Sequence, residues 1–268
     1  MRSFKVLAMG VAAVLVTALP AFASSSEWYS GEGGQIRIVT SGKPDAAGRL
    51  RGVLDIALKP GWKTYWQDPG DSGVPPQFGV SASTNVSDAQ LSFPAPRRHD
   101  DGYGKWAGYD RSVSLPVVFT LASPSSPATI DADVFLGMCE TICIPVQARL
   151  TMDPASDPDN ADDAALVEAG FAALPGAPKA DFEAKLLPGD HETLVVEAAA
   201  PGDPASVDFF IAGANDFMFG TPKRSEKAGK VTFSVPILDR PTAMPVGGGL
   251  HYTLTGATGA VQGLLPYP

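Results

Sequence analysis

The sequence predicts an all-β fold made of two β-sandwich domains joined by a short helix. Apolar residues recur at every second position in many short segments, which is the period of a strand with one buried face. The 28 glycines and 25 prolines are spread between these segments, as expected for short strands connected by turns.

The first domain is predicted over residues 30–154. Turn-rich stretches such as 68–73 and 123–127 separate its apolar segments. Each segment would place its apolar side chains on one face of a strand, as a sandwich core requires. The alternating positions are Leu54, Ile56 and Leu58, then Leu115, Val117, Phe119 and Leu121, then Ile130, Ala132, Val134 and Leu136, and finally Val146, Ala148, Leu150 and Met152.

A linker over residues 155–179 is predicted to hold a short helix from Ala161 to about Ala173. Asn160 or Asp159 could cap its first turn. Its buried stripe would consist of Leu166, Val167 and Phe171. Alternation returns in residues 180–268, at 194–196, 207–211, 231–235, 252–254 and 261–265, and indicates a second, smaller β-sandwich.

Residues 1–23 have the pattern of a secretory signal peptide. Arg2 and Lys5 precede an apolar run over 6–19, and small residues stand before Ser24. Beyond this segment no stretch approaches the roughly 18 apolar residues of a membrane span. The sequence therefore predicts export to the periplasm without a direct membrane span.

The charge balance argues against nucleic acid as a partner. The chain has 29 acidic and 20 basic residues, a formal net charge of −9, and no lysine- or arginine-rich run. Its three histidines, His99, His191 and His251, stand far apart, so no zinc-ligand spacing is visible. No Gly-x-Ser-x-Gly motif of a serine hydrolase occurs.

The two cysteines are the residues best suited to chemistry. Cys139 and Cys143 have three residues between them and lie between two predicted strands. In an oxidising compartment we expect them to form a disulfide, which could be a structural staple. A five-residue ring would stabilise the fold by only about 2 kcal/mol, against about 4.7 kcal/mol for a hundred-residue loop. Such a short ring is better suited to exchange with thiols of another protein.

Aromatic residues could shield this pair from stray thiols, or they could be ordinary core and turn residues. The candidates all stand before the cysteines in the same predicted domain, namely Trp62, Tyr65, Trp66, Tyr103, Trp106 and Tyr109.

Several of these segments together resemble the amino-terminal domain of the periplasmic thiol:disulfide interchange protein DsbD and its relative ScsB. The similarity covers residues 30–152, with the segments in the same order. They are the run 58–73 around Trp62, Tyr65 and Trp66, Phe93-Pro94-Ala95-Pro96, Tyr103-Gly104-Lys105 with Tyr109, Leu115-Pro116-Val117, and 137–145 around the cysteines. The second domain is similar to the extra β domain of ScsB-like members, less sharply.

The resemblance implies an immunoglobulin-like sandwich that accepts electron pairs and passes them on by dithiol-disulfide exchange. Cys139 and Cys143 would be the redox pair, with Cys143 forming the mixed disulfide and Cys139 resolving it. The segment from His99 to Tyr109 would cover the disulfide. Tyr103 would be the main shielding ring, accompanied by Tyr65, Trp66, Trp106 and Tyr109. The redox-active disulfide would serve without a cofactor.

Three differences from DsbD are visible. DsbD has five residues between its cysteines rather than three, and Gly102 replaces the covering phenylalanine. The 268 residues also contain no membrane electron conduit and no thioredoxin-like domain. The resemblance therefore implies a separate membrane electron donor, with periplasmic thioredoxin-like or disulfide isomerase proteins as partners.

Two alternatives remain open at this stage. Reduced Cys139 and Cys143 could bind Cu(I), with Met138 or His99 as a further ligand, in a copper-tolerance protein. The chain could instead be a non-catalytic interaction module of the cell envelope, in which the disulfide is structural.

Overall fold

A computed structural model describes residues 24–70, 73–100, 102, 104–213 and 217–268. The predicted signal peptide lies outside the described residues. Among the helices described, none is long and apolar enough to cross a membrane.

The first sandwich, built from strands β1 to β11, consists of two sheets. One has the order β1-β2-β3-β9-β6, and the other has the order β11-β10-β4-β8-β7, with β5 also paired to β10. The strands are β1 Tyr29–Ser30, β2 Gly34–Thr40, β3 Arg49–Leu58, β4 Lys63–Tyr65, β5 Gln77–Gly79, β6 Val86–Leu91, β7 Arg97–Asp100, β8 Lys105–Tyr109, β9 Val113–Leu121, β10 Ile130–Cys139 and β11 Cys143–Met152.

The core of the first sandwich lies between its two sheets. Leu54 and Ile56 of β3, Leu115 of β9, and Ile130 and Leu136 of β10 are all fully buried, as their alternation predicts. Strands β2, β3 and β9 pair in continuous antiparallel register, which directs the apolar positions of all three to one face. The predicted all-β sandwich is confirmed.

Helix α1, Ala161–Ala172, lies against the first sandwich. The Asn160 side chain caps it by accepting hydrogen bonds from the backbone N–H groups of Asp162 and Asp163. Val167 packs against Val39 and Val53, with Leu166 and Phe171 around them. The predicted apolar stripe therefore attaches the helix to the outer face of β2 and β3.

The second sandwich, built from β12 to β19, also has two sheets. Their orders are β12-β13-β17-β15, with β16 paired to β17, and β14-β18-β19. The elements are β12 Glu183–Leu187, β13 Thr193–Ala199, the 3₁₀ turn Pro204–Ser206, β14 Asp208–Ile211, β15 Met218–Phe219, β16 Lys223–Lys227, β17 Lys230–Asp239, β18 Leu250–Gly256 and β19 Gly259–Leu265. Phe209, Phe233 and Leu254 lie in its core.

Strand β14 connects the two sandwiches. Phe209 points into the core of the second sandwich, whereas the next residue, Phe210, belongs to the core of the first. Neighbouring residues of a strand face opposite sides, so one short strand contributes to both cores. The two sandwiches thus share buried apolar surface.

Candidate functional site: the disulfide at the tip of a hairpin

Strands β10 and β11 form a hairpin that ends at the two cysteines. Its register runs without interruption from Ile130 opposite Met152 to Cys139 opposite Cys143. The cysteines are bonded, with their Cα atoms 4.0 Å apart and residues 140–142 forming the loop. A direct cross-strand pair brings the two side chains to one face, which is why these positions can bond.

The two cysteines differ in exposure. Cys139 is 1% exposed and is packed under Tyr65 and Trp106, whereas Cys143 is exposed. Ile142, beside Cys143, is 69% exposed. A thiolate attacks a disulfide along the axis of the bond, so access from solvent favours attack at Cys143, with Cys139 as the leaving group.

The Tyr65 hydroxyl contacts both sulfurs. It lies 3.1 Å from Sγ of Cys139 and 3.1 Å from Sγ of Cys143. Strand β4 carries Tyr65 and pairs with the end of β10, where Thr64 stands opposite Met138. Gly137 leaves room for the ring, because a Cβ atom there would lie 3.1 Å from Cε2 of Tyr65. A phenol so placed can donate a hydrogen bond to whichever sulfur becomes a thiolate.

Trp106 covers the other side of Tyr65. The two rings meet edge to face with centroids 5.8 Å apart, and the His99 ring stacks on Trp106 at 4.0 Å. Lys63, which pairs with Cys139 across β4 and β10, holds its Nζ 4.5 Å from the Trp106 ring centroid. Lys63 thus places a cation on the ring that packs against Cys139.

The structure divides the aromatic residues predicted to shield the pair between two faces. Tyr65 and Trp106 contact Cys139, while Trp66 and Tyr109 belong to the main core. The physical reason is strand alternation: Trp66 is next to Tyr65, and Tyr109 is three residues after Trp106, so each faces the opposite side. Tyr103, predicted as the main shield, lies outside the described residues.

Tyr109 is a buried core residue whose hydroxyl makes one polar contact. Its hydroxyl donates a hydrogen bond to the Pro94 carbonyl at 2.8 Å. Burial raises the pKa of the Tyr109 phenol well above its usual value, because the charged phenolate would lose its hydration. Tyr109 therefore stabilises the fold in its neutral form.

The residues suggested for Cu(I) binding do not all meet. Met138 packs with the core on the face opposite Cys139, because it is the adjacent residue on β10. His99 lies on Trp106. Within the described ranges, no group of three or more histidine, cysteine, aspartate or glutamate side chains could hold a metal ion.

Lys63 and Gly137 belong to the site but were not identified from the sequence. Lys63 and Tyr65 are two residues apart on β4, so alternation alone would have placed them on one face. Gly137 gave no comparable signal, because only the approach of the Tyr65 ring explains the need for glycine there.

Comparison with known proteins places this site in context. Residues 39–154 match the family model described as thiol:disulfide interchange protein DsbD, N-terminal. The chain is also similar to the crystal structure of the N-terminal periplasmic domain of ScsB from Proteus mirabilis. The TM-score is 0.72 at 22% sequence identity, over 92% of this chain and 100% of that one. No curated protein matches the chain. The family match covers the first sandwich alone, and the structural similarity shows that both sandwiches have the fold of that ScsB domain.

Proposed function

We propose that this protein exchanges electron pairs with other proteins through Cys139 and Cys143, because these cysteines lie in residues 39–154, which match the family model of DsbD amino-terminal domains. One observation carries the proposal: a disulfide at a hairpin tip with one exposed cysteine, Cys143, and one buried cysteine, Cys139. This asymmetry suits a reaction in which a partner must reach one sulfur and only one.

Reduction of the disulfide begins with a donor protein that carries a dithiol. Its thiolate attacks Sγ of Cys143, the Cys139–Cys143 bond breaks, and a mixed disulfide forms between the donor and Cys143. Cys139 leaves as a thiolate and accepts a hydrogen bond from the Tyr65 hydroxyl, which already lies at 3.1 Å. The second thiol of the donor then attacks the mixed disulfide and releases Cys143. The donor ends as a disulfide, and this protein as a dithiol.

Delivery of the electron pair reverses these steps with a different partner. The Cys143 thiolate attacks the disulfide of an acceptor, and Cys139 resolves the mixed disulfide by attacking Cys143. Two electrons and two protons leave with the reduced acceptor. Acceptors of the thioredoxin-like or disulfide isomerase class, and a membrane protein as donor, are the proposed partners.

The proposed compartment is the periplasm. The predicted export signal supports it, as does the likeness to a domain described as periplasmic. A disulfide also persists more readily in an oxidising compartment than in the cytosol.

The test traps the intermediate. In a Cys139→Ser variant, Cys143 has no resolving partner within this protein. We therefore expect it to form a stable mixed disulfide with a thioredoxin-like protein whose second active-site cysteine is replaced by serine and whose remaining cysteine carries thionitrobenzoate as the leaving group. Non-reducing electrophoresis makes this species visible. The matched variant Cys143→Ser keeps only the buried sulfur and should trap far less. Equal trapping by the two variants would contradict the assigned roles.

A second measurement addresses the exchange itself. We expect dithiothreitol to reduce the Cys139–Cys143 bond in the folded protein without denaturant, as observed by thiol labelling and mass spectrometry. A bond that resists reduction until the protein unfolds would instead indicate a structural staple.

A further inference from the structure

The second sandwich contacts the two segments that carry the residues packed over Cys139. One segment runs from β4 into the loop after it and holds Tyr65. The other is the hairpin of β7 and β8, which holds Trp106. The contacts are made by strand β14 and by Gly213, which follows it.

Arg98 of β7 makes three hydrogen bonds to the second sandwich. Its Nε lies 3.2 Å from Oδ2 of Asp208, and its Nη2 lies 3.4 Å from Oδ1 of Asp208 and 2.9 Å from the Phe209 carbonyl oxygen. Its guanidinium carbon also lies 4.7 Å from the Phe210 ring centroid. The Arg98 and Asp208 side chains are 25% and 31% exposed. A two-pronged, partly buried contact of this kind fixes orientation as well as distance.

The segment after Tyr65 is held in a similar way. Trp66 meets Phe210 edge to face with ring centroids 5.9 Å apart, and both rings are buried. Asp68 accepts a hydrogen bond of 2.7 Å from the Gly213 backbone N–H. The residues that follow Tyr65 in the chain are therefore anchored to the second sandwich.

Strand alternation links these anchors to the disulfide. Tyr65 contacts the sulfurs while the adjacent Trp66 contacts Phe210. On β7, Arg98 contacts β14 while the adjacent His99 stacks on Trp106. Each segment thus presents one residue to the redox site and its neighbour to the second sandwich.

We propose that the second sandwich supports the redox site from behind, with Arg98 as a positioning residue that holds Trp106 and Tyr65 over Cys139. The inference rests on the proposed function, but what it states directly is that the second sandwich protects Sγ of Cys139 from solvent. Loss of the support would let the β7–β8 hairpin shift away from Tyr65 and expose Cys139. The exposed Cys143 would not be affected.

The experiment measures access to Cys139 alone. In a Cys143→Ser background Cys139 is the only thiol, and its rate of alkylation by iodoacetamide is followed by mass spectrometry from pH 6 to pH 10. The plateau rate at high pH reports access, and the midpoint reports the thiol pKa. We expect Arg98→Ala to raise the plateau rate by about tenfold, the effect of losing a charge-assisted contact that resists local opening.

Two further variants separate positioning from loss of fold. Asp208→Asn keeps the shape of the side chain and should raise the rate in the same direction by a smaller factor. The exchanged pair Arg98→Asp with Asp208→Arg restores a contact between opposite charges and should return the rate towards that of the background. Circular dichroism at the assay temperature verifies that each variant is folded.

Arg149→Ala is the matched control. It removes a pair of hydrogen bonds between Arg149 and Asp131 within the first sandwich, away from β14, and should leave the rate unchanged. In the Cys139→Ser background, Arg98→Ala should leave alkylation of Cys143 unchanged. A folded Arg98→Ala variant with an unaltered Cys139 rate would overturn the inference. The proposed function would fail separately, if dithiothreitol could not reduce the native disulfide of the unmodified protein.

Discussion

Among single residues, Tyr65 is the one whose side chain contacts both sulfurs of the disulfide. Its hydroxyl lies 3.1 Å from each Sγ, so it can follow the negative charge from one sulfur to the other during exchange. Its ring stays in place because Gly137 and Trp106 pack against it.

Replacing Tyr65 with phenylalanine tests this role. The ring and its packing remain, but the Cys139 thiolate loses its donor. A hydrogen bond to a charged group contributes about 1.5 kcal/mol, so we expect reduction of the disulfide by a dithiol to slow about tenfold. Stopped-flow measurement of reduction gives the rate. Tyr252→Phe, which removes a hydroxyl in the second sandwich, is the control and should react as fast as the unmodified protein.

The buried Tyr109 phenol should make the protein less stable at alkaline pH. Burial raises its pKa in the folded protein, whereas the unfolded chain ionises the phenol near pH 10. The neutral Tyr109 phenol therefore contributes fully to the free energy of unfolding below the pKa that it has in the unfolded chain. This contribution is lost as the pH rises from there towards the pKa that it has in the folded protein.

Urea denaturation of Tyr109→Phe at pH 8 and pH 11 measures this effect. At pH 8 we expect the unmodified protein to be more stable by about 1 kcal/mol, through the hydrogen bond to Pro94. At pH 11 the difference should fall by about 1.4 kcal/mol, which one pH unit above the unfolded pKa is worth, so that Tyr109→Phe becomes the more stable protein by about 0.4 kcal/mol. A constant difference between the two proteins at both pH values would contradict the raised pKa.

At the scale of elements, the site depends on the pairing of the short strand β4 with β8. Gly108 of β8 stands opposite Tyr65, and a Cβ atom there would lie 2.3 Å from the Thr64 carbonyl oxygen and 3.0 Å from Cα of Tyr65. Backbone atoms cannot give way as the end of a flexible side chain can. Strand β4 and the Tyr65 ring therefore depend on glycine at this position.

Gly108→Ala should consequently disturb the fold and the site together. We expect the free energy of unfolding to fall by about 1–3 kcal/mol, as for other overpacked positions, with faster amide hydrogen exchange at Thr64 and Tyr65. Gly79→Ala in β5 is the control, since the nearest atom to its Cβ, the Asp133 carbonyl oxygen, lies 4.0 Å away. Equal stability of the two variants would show that the strands can separate to admit the methyl group.

At the scale of the whole molecule, Phe210 makes the two sandwiches interdependent. Its ring is 3% exposed and belongs to the core of the first sandwich, although β14 is a strand of the second. All four tryptophans precede residue 155, so tryptophan fluorescence reports on the first sandwich, whereas far-ultraviolet circular dichroism reports on both.

Phe210→Ala should uncouple their unfolding. Replacing a buried phenylalanine by alanine commonly costs about 3–5 kcal/mol, here at the shared surface. We expect the fluorescence and dichroism transitions in urea to coincide in the unmodified protein and to separate in the variant. Val246→Ala, at a fully exposed residue before β18, should leave them coincident. Coincident transitions in Phe210→Ala would mean that the sandwiches are coupled elsewhere.

Particular residues show how far the sequence alone could predict this molecule. Alternation at Leu54 and Ile56 indicated a strand with one buried face, and Asn160 indicated the start of the helix. The predicted limits of the two domains and the roles of Cys139 and Cys143 stay predictions. The presence of aromatic residues in the sequence did not tell which of them would face the disulfide. Tyr65 packs against Cys139, whereas its neighbour Trp66 lies in the main core.

Local periodicity, helix capping and a separation of four positions were enough to predict the all-β fold, the short helix and the close spacing of the two cysteines. Three features are set only in the folded chain: the exposure of Cys143, the contact of Tyr65 with both sulfurs, and the contacts of β14 with the segments behind them. Those features depend on the register of strands distant in the chain and on which face meets the second sandwich. Pairwise contacts of this kind have no signature within any single segment.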